Sequence, residues 1–321
     1  MRKIKLLFAL TAVILCGNKH SVYAQQDIQL SQYMFTTLSY NPAYAGVEGV
    51  TNFTGLHRSQ WAGYNTNFDG AGGAPTTQLL LADAPILNIS SGAGLSIIND
   101  RLGPWNNLRL DLNYAYHLSI NNAKVSLGIK VGAFAQTIDF DRYRPIDPED
   151  PLIQNGRATQ IRPNMGLGAF LRTEKFYAGI SYDHLMKSQF DFGVDELRNA
   201  LEGNLFATAG YNYNISYNFT ISPSFLFKSD FNSYSFDLTV LGTYEEKMWG
   251  GLGYRQSEAV IALLGYSFFK DNALKIGYSF DYVISGKQAK EWSSHEIMLK
   301  YTLPVATAGG KKIIRTPRFR H

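Results

Sequence analysis

The sequence has one cysteine, Cys16, and after its first two dozen residues it lacks an apolar run that could form a membrane-spanning helix. Such a helix needs about 20 consecutive, mostly apolar residues. One cysteine cannot form an internal disulfide, and if an N-terminal signal that includes Cys16 is removed, no thiol remains for catalysis or zinc binding. Charged residues make up only 17% of the chain, whereas about 25% is usual for a soluble domain.

The first 24 residues have the layout of an export signal. Three basic residues precede an uncharged apolar run over 6–16, and a polar stretch follows that ends in Val22-Tyr23-Ala24. This order is typical of a cleaved secretory signal peptide. We therefore predict a signal peptide over 1–24 and a mature chain that starts at Gln25. The alternative is a lipoprotein processed at Cys16, which the bulky Leu15 disfavours.

The signal peptide accounts for the excess of basic over acidic residues in the whole chain. It holds four Lys and Arg residues and no acid, so its removal changes 30 basic against 26 acidic residues into 26 of each. A nucleic-acid-binding protein is expected to carry a strongly basic face. The composition therefore predicts no nucleic-acid partner.

Alternation with a period of two residues is the strongest local pattern. Over 108–118, leucines and tyrosines alternate with polar residues, and a similar alternation runs over 275–284. A strand with an apolar face toward lipid and a polar face toward the interior has this pattern. Successive side chains of a strand point to opposite faces, so a residue's position in the alternation, its parity, predicts the face on which it lies. Parity predicts that the following ionisable residues face the lumen of a barrel: Arg109, Asp111, His117, Lys124, Lys130, Lys275 and Asp281.

The alternating or β-rich runs number about fourteen, an even number as single-chain bacterial barrels require. They lie near 51–61, 76–84, 91–99, 107–118, 123–138, 161–172, 175–184, 203–213, 218–229, 234–244, 247–255, 258–268, 273–284 and 293–303. We predict an all-β fold, a transmembrane outer-membrane β-barrel of about 14 antiparallel strands over 51–303. A soluble sandwich or propeller is the alternative, but it seldom places rows of charges opposite aromatics.

The connections between these runs fall into two classes by length. If the N-terminus is periplasmic, the periplasmic turns are short, and the long loops over 62–75, 139–160, 184–202 and 285–292 all lie outside, as expected for such barrels. The short outer turn over 255–258 is the predicted exception. Residues 25–50 form an N-terminal periplasmic segment that enters or caps the periplasmic mouth, or a plain lead-in to the barrel. Residues 304–321 form a periplasmic basic tail, either disordered or a docking site for an acidic partner.

A search for catalytic and metal-binding motifs finds none. No Gly-x-Ser-x-Gly is present, and His295-Glu296 lacks the second histidine of a zinc protease. His117 has no identifiable serine partner for lipid hydrolysis. The acidic loop over 139–150 leaves calcium open as an alternative to a solvated surface loop, although its spacing fits no calcium motif. We predict no enzyme activity, no cofactor and no metal.

Several short motifs occur in order along nearly the whole mature chain. They are Ser31-Gln32-Tyr33, Asn41-Pro42-Ala43-Tyr44-Ala45-Gly46, Arg58-Ser59-Gln60-Trp61, Asn99-Asp100, Tyr114-Ala115-Tyr116, Phe176-Tyr177-Ala178-Gly179-Ile180-Ser181, Trp249-Gly250-Gly251-Leu252-Gly253-Tyr254-Arg255, Gly277-Tyr278-Ser279-Phe280-Asp281-Tyr282 and Ser294-His295-Glu296-Ile297. The ordered set resembles the PorP/SprF family, outer-membrane components of the type IX secretion system and gliding machinery of Bacteroidetes.

The resemblance implies a role in helping particular secreted proteins, such as gliding adhesins, to cross or stay at the outer membrane through their C-terminal sorting domains. It implies periplasmic-ring and peptidoglycan-associated components of the secretion machinery as partners, beside outer-membrane lipid. The motif residues to which it draws attention are Asn41, Pro42, Tyr44, Gly46, Arg58, Gln60, Trp61, Asp100, Arg255, His295 and Glu296. Two other functions stay open at this point: a diffusion pore or small-molecule transporter, and an outer-membrane lipid enzyme.

Overall fold

The structure is a computed structural model, and it describes residues 27–64, 73–142, 156–192, 199–286 and 290–303. The predicted signal peptide over 1–24 and the basic tail over 304–321 lie outside the described residues. The same holds for Asp147, Glu149 and Asp150 of the acidic loop. No helix in the described ranges is long and apolar enough to cross a membrane.

The chain forms a β-barrel whose strands we number in chain order. They are β1 Asn52–Ser59, β2 Thr76–Ile86, β3 Ser91–Leu102, β4 Trp105–Ile120, β5 Ala123–Asp139, β6 Arg157–Arg172, β7 Phe176–Asp183, β8 Gln189–Phe190, β9 Asn199–Ala200, β10 Asn204–Tyr211, β11 Tyr213–Ser216, β12 Phe219–Ser229, β13 Tyr234–Tyr244, β14 Met248–Arg255, β15 Ala259–Phe268, β16 Leu274–Val283 and β17 Ser293–Thr302. Short 3-10 turns occur at Tyr33–Phe35, Thr37–Ser39, Pro42–Tyr44, Leu87–Ile89, Phe140–Arg142 and Lys270–Asn272.

Fourteen of these strands make the barrel wall. Each pairs antiparallel with its sequence neighbours, and β10 pairs with both β7 and β12. The first and last strands close the ring in a register from Asn52↔Thr302 to Ser59↔His295. The strand β11 continues β10 after Asn212, and β8 and β9 form a separate small hairpin in the loop between β7 and β10. The predicted closed, fourteen-stranded antiparallel barrel is therefore confirmed.

Burial alternates along the strands in the sense expected for a protein in lipid. In β4, the outward Leu110 and Leu112 are 44% and 62% exposed, whereas the inward Arg109 and Asp111 are 5% and 0% exposed. A soluble protein hides apolar side chains and exposes charged ones. Here the apolar face is outside because hydrocarbon covers it, and the polar face is inside the ring.

The two ends of the barrel differ in the lengths of their connections. At one end, which we name the short-turn end, strands are joined over 87–90, 121–122, 173–175, 217–218, 245–247 and 269–273. The other, the long-loop end, carries the connections over 60–75, 140–156, 184–203 and 284–292. It also carries short turns over 103–104, 230–233 and 256–258, so the sequence prediction of a single short exception there was wrong. Its predicted loop over 139–160 is shorter because β6 begins at Arg157.

Residues 27–47 fill the interior of the barrel, and we name them the plug. Their side chains are largely buried, among them Ser31, Tyr33 and Asn41 at about 1% exposure or less. The sequence predicted that the segment over 25–50 enters or caps the periplasmic mouth or leads plainly into the barrel, and it did not indicate that residues 27–47 fill the interior. The plug lies there because it supplies partners for the inward polar side chains of the strands, which would otherwise be unpaired in the lumen.

Candidate functional site: the plugged lumen

The plug owes its local shape to a few residues of one sequence motif. Asn41 precedes the turn Pro42–Tyr44 and accepts a hydrogen bond from the Ala43 amide at 3.0 Å, while its own amide donates to the Ala169 carbonyl at 3.1 Å. Gly46 has a φ of +67° and donates its N–H to Asp83 at 3.0 Å. A left-handed φ favours glycine. Asn41, Pro42 and Gly46 thus shape the plug and fasten it to the wall.

Aromatic side chains of the plug pack on aromatic side chains of the wall. Ring centroids lie 5.5 Å apart for Phe35 and Trp249, and 5.2 Å apart for Tyr44 and Phe170. The ring of Tyr40 stacks on Phe206 at 5.7 Å. Such contacts add about 0.5–1.5 kcal/mol each beyond the area they bury. The plug therefore packs as an ordered part of the protein core.

Glycines of the wall allow the plug to approach the strands closely. A Cβ placed on Gly128 would overlap the Ala43 backbone, and one placed on Gly92 would overlap the Ala45 carbonyl. On Gly168 it would overlap the Asn41 side-chain oxygen. These three glycines lie on different strands and all face the plug. They are therefore required for close approach, as glycines within strands often are.

We expect Gly128→Val to destabilise the folded barrel by about 2–3 kcal/mol, because overpacking a close contact forces backbone shifts. The matched control is Gly55→Val on the outward row of β1, where an added Cβ meets only the Leu80 side chain at 3.6 Å. Urea unfolding of the purified protein, followed by heat-modifiable gel mobility, measures both. Equal stability of the two variants would contradict a tightly seated plug.

The first charged cluster, the seam cluster, joins the plug to the strands on both sides of the barrel closure. Arg58 of β1 contacts Asp281 of β16 at 2.8 Å and Glu296 of β17 at 3.2 Å. Arg255 contacts Asp237 at 2.6 Å and Asp281 at 3.4 Å. These five charged side chains are at most about 2% exposed. They form a continuous buried network across β1, β17, β16, β14 and β13.

The plug completes this cluster with its backbone and one hydroxyl. The amides of Ser31 and Gln32 each donate to Glu296 at 2.9 Å. The Ser31 hydroxyl donates to Asp281 at 2.7 Å and accepts from Arg58 at 2.9 Å. A buried ion pair is tolerated only when its remaining lone pairs and protons are satisfied. The plug thus supplies the hydrogen bonds that make this charged seam stable.

A second cluster lies on the opposite wall. Arg109 contacts Asp111 at 3.0 Å and Asp183 at 3.3 Å, and Lys130 contacts Asp183 at 2.7 Å. Both cations also donate to the carbonyl oxygen of Ser39 in the plug, at 3.0 Å from Arg109 and 3.2 Å from Lys130. Four of the sequence-predicted lumen residues, Arg109, Asp111, Lys130 and Asp281, are thereby placed in the two clusters and paired.

A third contact fastens the connection over 48–51 at the short-turn end. Glu48 accepts two hydrogen bonds from Lys300 at 3.0 Å and one from the Tyr44 hydroxyl at 2.6 Å. Burial opposes the charged form of Glu48, but the ammonium group of Lys300 and the Tyr44 hydroxyl outweigh it and hold the pKa of this carboxyl well below its usual range. The carboxylate therefore stays ionised and keeps its partners at neutral pH.

The remaining predicted lumen residues lie near the short-turn end. His117 is buried, and its Nδ1 lies 2.7 Å from the Ser126 hydroxyl, so the sequence prediction that it has no serine partner was wrong. Both side chains lie on inward rows of β4 and β5, on the side away from lipid. Lys124 donates to the Val47 carbonyl at 3.0 Å, and Lys275 is half-buried on the inward row of β16.

Four motif residues lie outside the clusters, toward the long-loop end. Gln60 donates to Glu258 at 3.4 Å, and the Trp61 amide donates to the Ser294 hydroxyl at 3.0 Å. Asp100 accepts from Thr77 at 2.6 Å. His295 is half-buried on an outward row, with its Nδ1 2.7 Å from the Tyr278 hydroxyl. The structure does not bring these four together into one site.

Sequence reasoning missed several charged residues of the lumen. Asp27, Asp83, Asp183, Asp237, Lys228 and Lys300 are largely buried and face the interior. Those that belong to wall strands alternate in phase with the inward side chains of their strands. Assigning every strand residue to the inner or outer face by its position in the alternation would therefore have identified them. Asp27 carries no such signal, because it lies in the plug.

The described ranges contain no group of three or more His, Cys, Asp or Glu side chains arranged to hold a metal ion. At the described edges of the acidic loop, Asp139 pairs with Arg157 at 2.9 Å and Asp141 accepts from the Gly156 amide at 2.8 Å. The calcium alternative rests on residues of this loop that lie outside the described part, so it stays an open prediction.

The fold and the lumen together define an outer-membrane β-barrel whose interior is filled by its own N-terminal segment. None of the curated proteins matches the sequence significantly. The family model described as type IX secretion system membrane protein PorP/SprF matches residues 22–301, and the chain belongs to that family.

Solved outer-membrane proteins share the barrel fold at very low sequence identity. The toluene transporter TbuX of Ralstonia pickettii is 12% identical with a TM-score of 0.50, over 84% of this chain and 93% of that one. The outer membrane protein Omp33 of Acinetobacter baumannii is 9% identical with a TM-score of 0.45, over 79% of this chain and 99% of that one. At this identity, the likeness to TbuX shows the fold alone. The barrel fold and the membrane family place the protein in the outer membrane.

Proposed function

We propose that this protein is a non-enzymatic outer-membrane component of the type IX secretion system that supports the secretion or surface attachment of specific cargo proteins, such as gliding adhesins. Family membership over residues 22–301 carries the proposal. The plugged lumen supports it, because residues 27–47 fill the interior and leave the ends and rims of the barrel as the polar surfaces that a protein partner can contact. The contact partners we propose are the machinery at the periplasmic side and the C-terminal sorting domain of a cargo protein.

The buried clusters also weigh against catalysis. Every acid of the seam cluster is paired with an arginine or with backbone amides, and His117 and Ser126 have no access to lipid. A general base or nucleophile must reach its substrate within hydrogen-bond distance. The lack of such access for these groups supports a role without chemistry.

A diffusion pore or small-molecule transporter is the second candidate. The inward polar rows of the strands favour it, and TbuX, which shares the fold, is by its name a toluene transporter. Conductance of the purified full-length protein in planar bilayers, lost or inverted in selectivity on Lys130→Glu, would support this candidate. We expect the full-length barrel to conduct poorly, because the plug occupies the lumen.

Deleting the gene in the native host tests the leading proposal. We expect a small set of secreted proteins to disappear from the cell surface, while the other outer-membrane proteins stay at their normal levels. Quantitative mass spectrometry of surface-labelled proteins measures this, with re-expression of the wild-type gene as the control. A surface proteome that does not change on deletion would overturn the proposal.

A further inference from the structure

Four basic side chains collect at the short-turn end of the lumen. Lys124 is the second residue of β5, and Arg172 is the last residue of β6. Lys275 is the second residue of β16, and Lys300 lies two residues before the end of β17. All four occupy inward rows of their strands. We name them the cationic mouth.

The pairing register of the strands places these like charges directly opposite each other. Lys124 pairs with Arg172 across β5 and β6, and Lys275 pairs with Lys300 across β16 and β17. Side chains at such positions have Cβ atoms about 4.5–5.5 Å apart, and like charges there destabilise a sheet. Natural proteins break local rules of this kind mainly at functional sites. The two pairs therefore mark the mouth as a candidate site for a negatively charged ligand.

The acids on the inner side of the mouth are already engaged. Glu48 accepts from Lys300 at 3.0 Å, and Asp83 accepts from the Gly46 amide at 3.0 Å. Four cations thus stand against two acids, an excess of two positive charges. The exposed turns at this end reduce the excess by one, because they hold four acids and three bases: Glu174, Glu245, Glu246 and Asp271 beside Lys175, Lys247 and Lys270.

Two cations of the mouth have no partner in the part of the chain that the structure describes. Arg172 is exposed and Lys275 is half-buried, and neither makes a hydrogen bond or an ion pair with a described residue. The charge of Arg172 acts on both Lys275 and Glu48. The long side chains of the two walls therefore converge over the end of the plug and form one positive surface.

The position of this surface limits which anions can reach it. The barrel wall separates the inward side chains from the surrounding lipid head groups. The strands β5 and β6 lie across the ring from β16 and β17. A single small anion contacts one pair of cations, whereas a chain segment with several carboxylates can contact both pairs at once.

In bacterial outer-membrane barrels, the short turns face the periplasm. We therefore infer that the cationic mouth is the docking surface for an acidic segment of a periplasmic protein, whose Asp and Glu carboxylates compensate Arg172 and Lys275. Complementary charge of this kind speeds encounter and selects the partner. The inference deepens the proposed function, and it rests on that function for the assignment of the partner to the secretion machinery.

Binding of an acidic peptide to the purified full-length protein in detergent tests the inference. The probe is a fluorescently labelled oligoglutamate, with oligoglutamine as the uncharged control peptide. The test variant combines Arg172→Glu with Lys275→Glu. The matched control combines Arg101→Glu with Lys187→Glu, two exposed cations at the long-loop end. A third variant, Arg315→Glu with Arg318→Glu, measures binding by the basic tail, which lies outside the described residues.

We expect the mouth variant to bind oligoglutamate about tenfold more weakly than the wild type, and the long-loop control to stay within about twofold of it. Binding to the wild type should weaken as salt is added. Equal affinity of the mouth variant and the long-loop control would overturn the inference. So would a larger loss in the tail variant than in the mouth variant, or displacement of the peptide by inorganic phosphate at equal charge concentration.

A neutral variant guards against a folding defect. Arg172→Gln combined with Lys275→Gln should also weaken peptide binding, yet resist urea at least as well as the wild type, because it removes like-charge repulsion. Heat-modifiable gel mobility confirms that each variant is a folded barrel. A neutral variant that unfolds more easily than the wild type would show that these cations serve the fold and would contradict the docking role. Since secretion is not measured, failure here leaves the proposed secretion function standing, and the reverse also holds.

Discussion

Removing residues 27–47 while keeping the export signal should turn the protein into an ion-conducting channel. The plug occupies the lumen from the long-loop end to the short-turn end, and its aromatic side chains pack against the wall. A fourteen-stranded ring lies between the filled eight-stranded barrels and the water-filled porins in size, so the emptied lumen should admit water and ions. We expect single-channel conductance in planar bilayers to rise roughly tenfold or more over that of the full-length protein.

Loss of folding would obscure this result, so folded barrels are selected first by their heat-modifiable gel mobility. A milder variant provides a second test: Tyr33→Ala combined with Leu38→Ala and Tyr40→Ala truncates three buried plug side chains and leaves the backbone contacts to Glu296 in place. It should conduct intermittently, between the full-length and plug-deleted proteins. A folded plug-deleted barrel that conducts no better than the full-length protein would show that the plug does not close the lumen.

Replacing Arg58, one of the two arginines of the seam cluster, should strongly destabilise the folded barrel. Arg58→Ala leaves Asp281 and Glu296 with reduced compensation, in a place where both are at most 1% exposed. Removing one partner of a buried ion pair typically costs about 3–5 kcal/mol. Arg58 lies on the first strand and its partners lie on the last two. The substitution therefore removes contacts that hold the two ends of the sheet together where the barrel closes. Urea unfolding in detergent and the yield of folded protein in the membrane measure it.

Two controls separate lost pairing from a general effect of arginine removal. Arg101→Ala removes an exposed arginine whose Nε donates to Asn106 at 3.3 Å, and it should change stability by less than about 0.5 kcal/mol. Combining Arg58→Met with Glu296→Gln removes a positive and a negative charge together and should recover part of the stability lost in Arg58→Ala. Equal behaviour of Arg58→Ala and Arg101→Ala would contradict the role of the seam cluster.

The barrel wall was predictable from the sequence because its signal is local. A strand that faces lipid on one side must alternate, so each of the fourteen runs carries its own period of two residues. All fourteen predicted runs overlap observed barrel strands, with ends that differ by up to four residues. The gap between the predicted runs 203–213 and 218–229 is shorter in the structure, where the turn lies at 217–218, because β11 extends β10 beyond Asn212. The ends of the strands are harder to predict from the sequence than the strands themselves, because the alternation continues into the turns.

The plug was not predictable in the same way, because its position depends on contacts distant in the chain. Ser31 meets Asp281 across 250 residues, and Asn41 meets Ala169 across 128. Residues 27–47 show no strand or helix period, since they form short 3-10 turns whose polar groups are satisfied by the wall. The sequence singled out Asn41, Pro42 and Gly46 as motif residues, but it did not show which surface of the wall they meet.

The pairing of the lumen charges was likewise beyond the sequence. Parity assigned Arg109 and Asp281 to the inner face, but a mixed row of charges fits both an open pore and a closed network. The choice between an open pore and a closed network depends on where Asp183, Arg58 and the plug backbone lie relative to these charges. In the structure, the charges pair with one another and with the plug.

Affinity purification of the tagged, full-length protein from outer membranes of its native host tests whether the barrel acts in type IX secretion. The tag is placed at the C-terminus, and bound proteins are identified by mass spectrometry against a purification from cells that express an unrelated tagged outer-membrane barrel. We expect enrichment of type IX secretion components together with a secreted protein that ends in a C-terminal sorting domain. Recovery of the barrel alone, or with the same proteins as the control barrel, would contradict it.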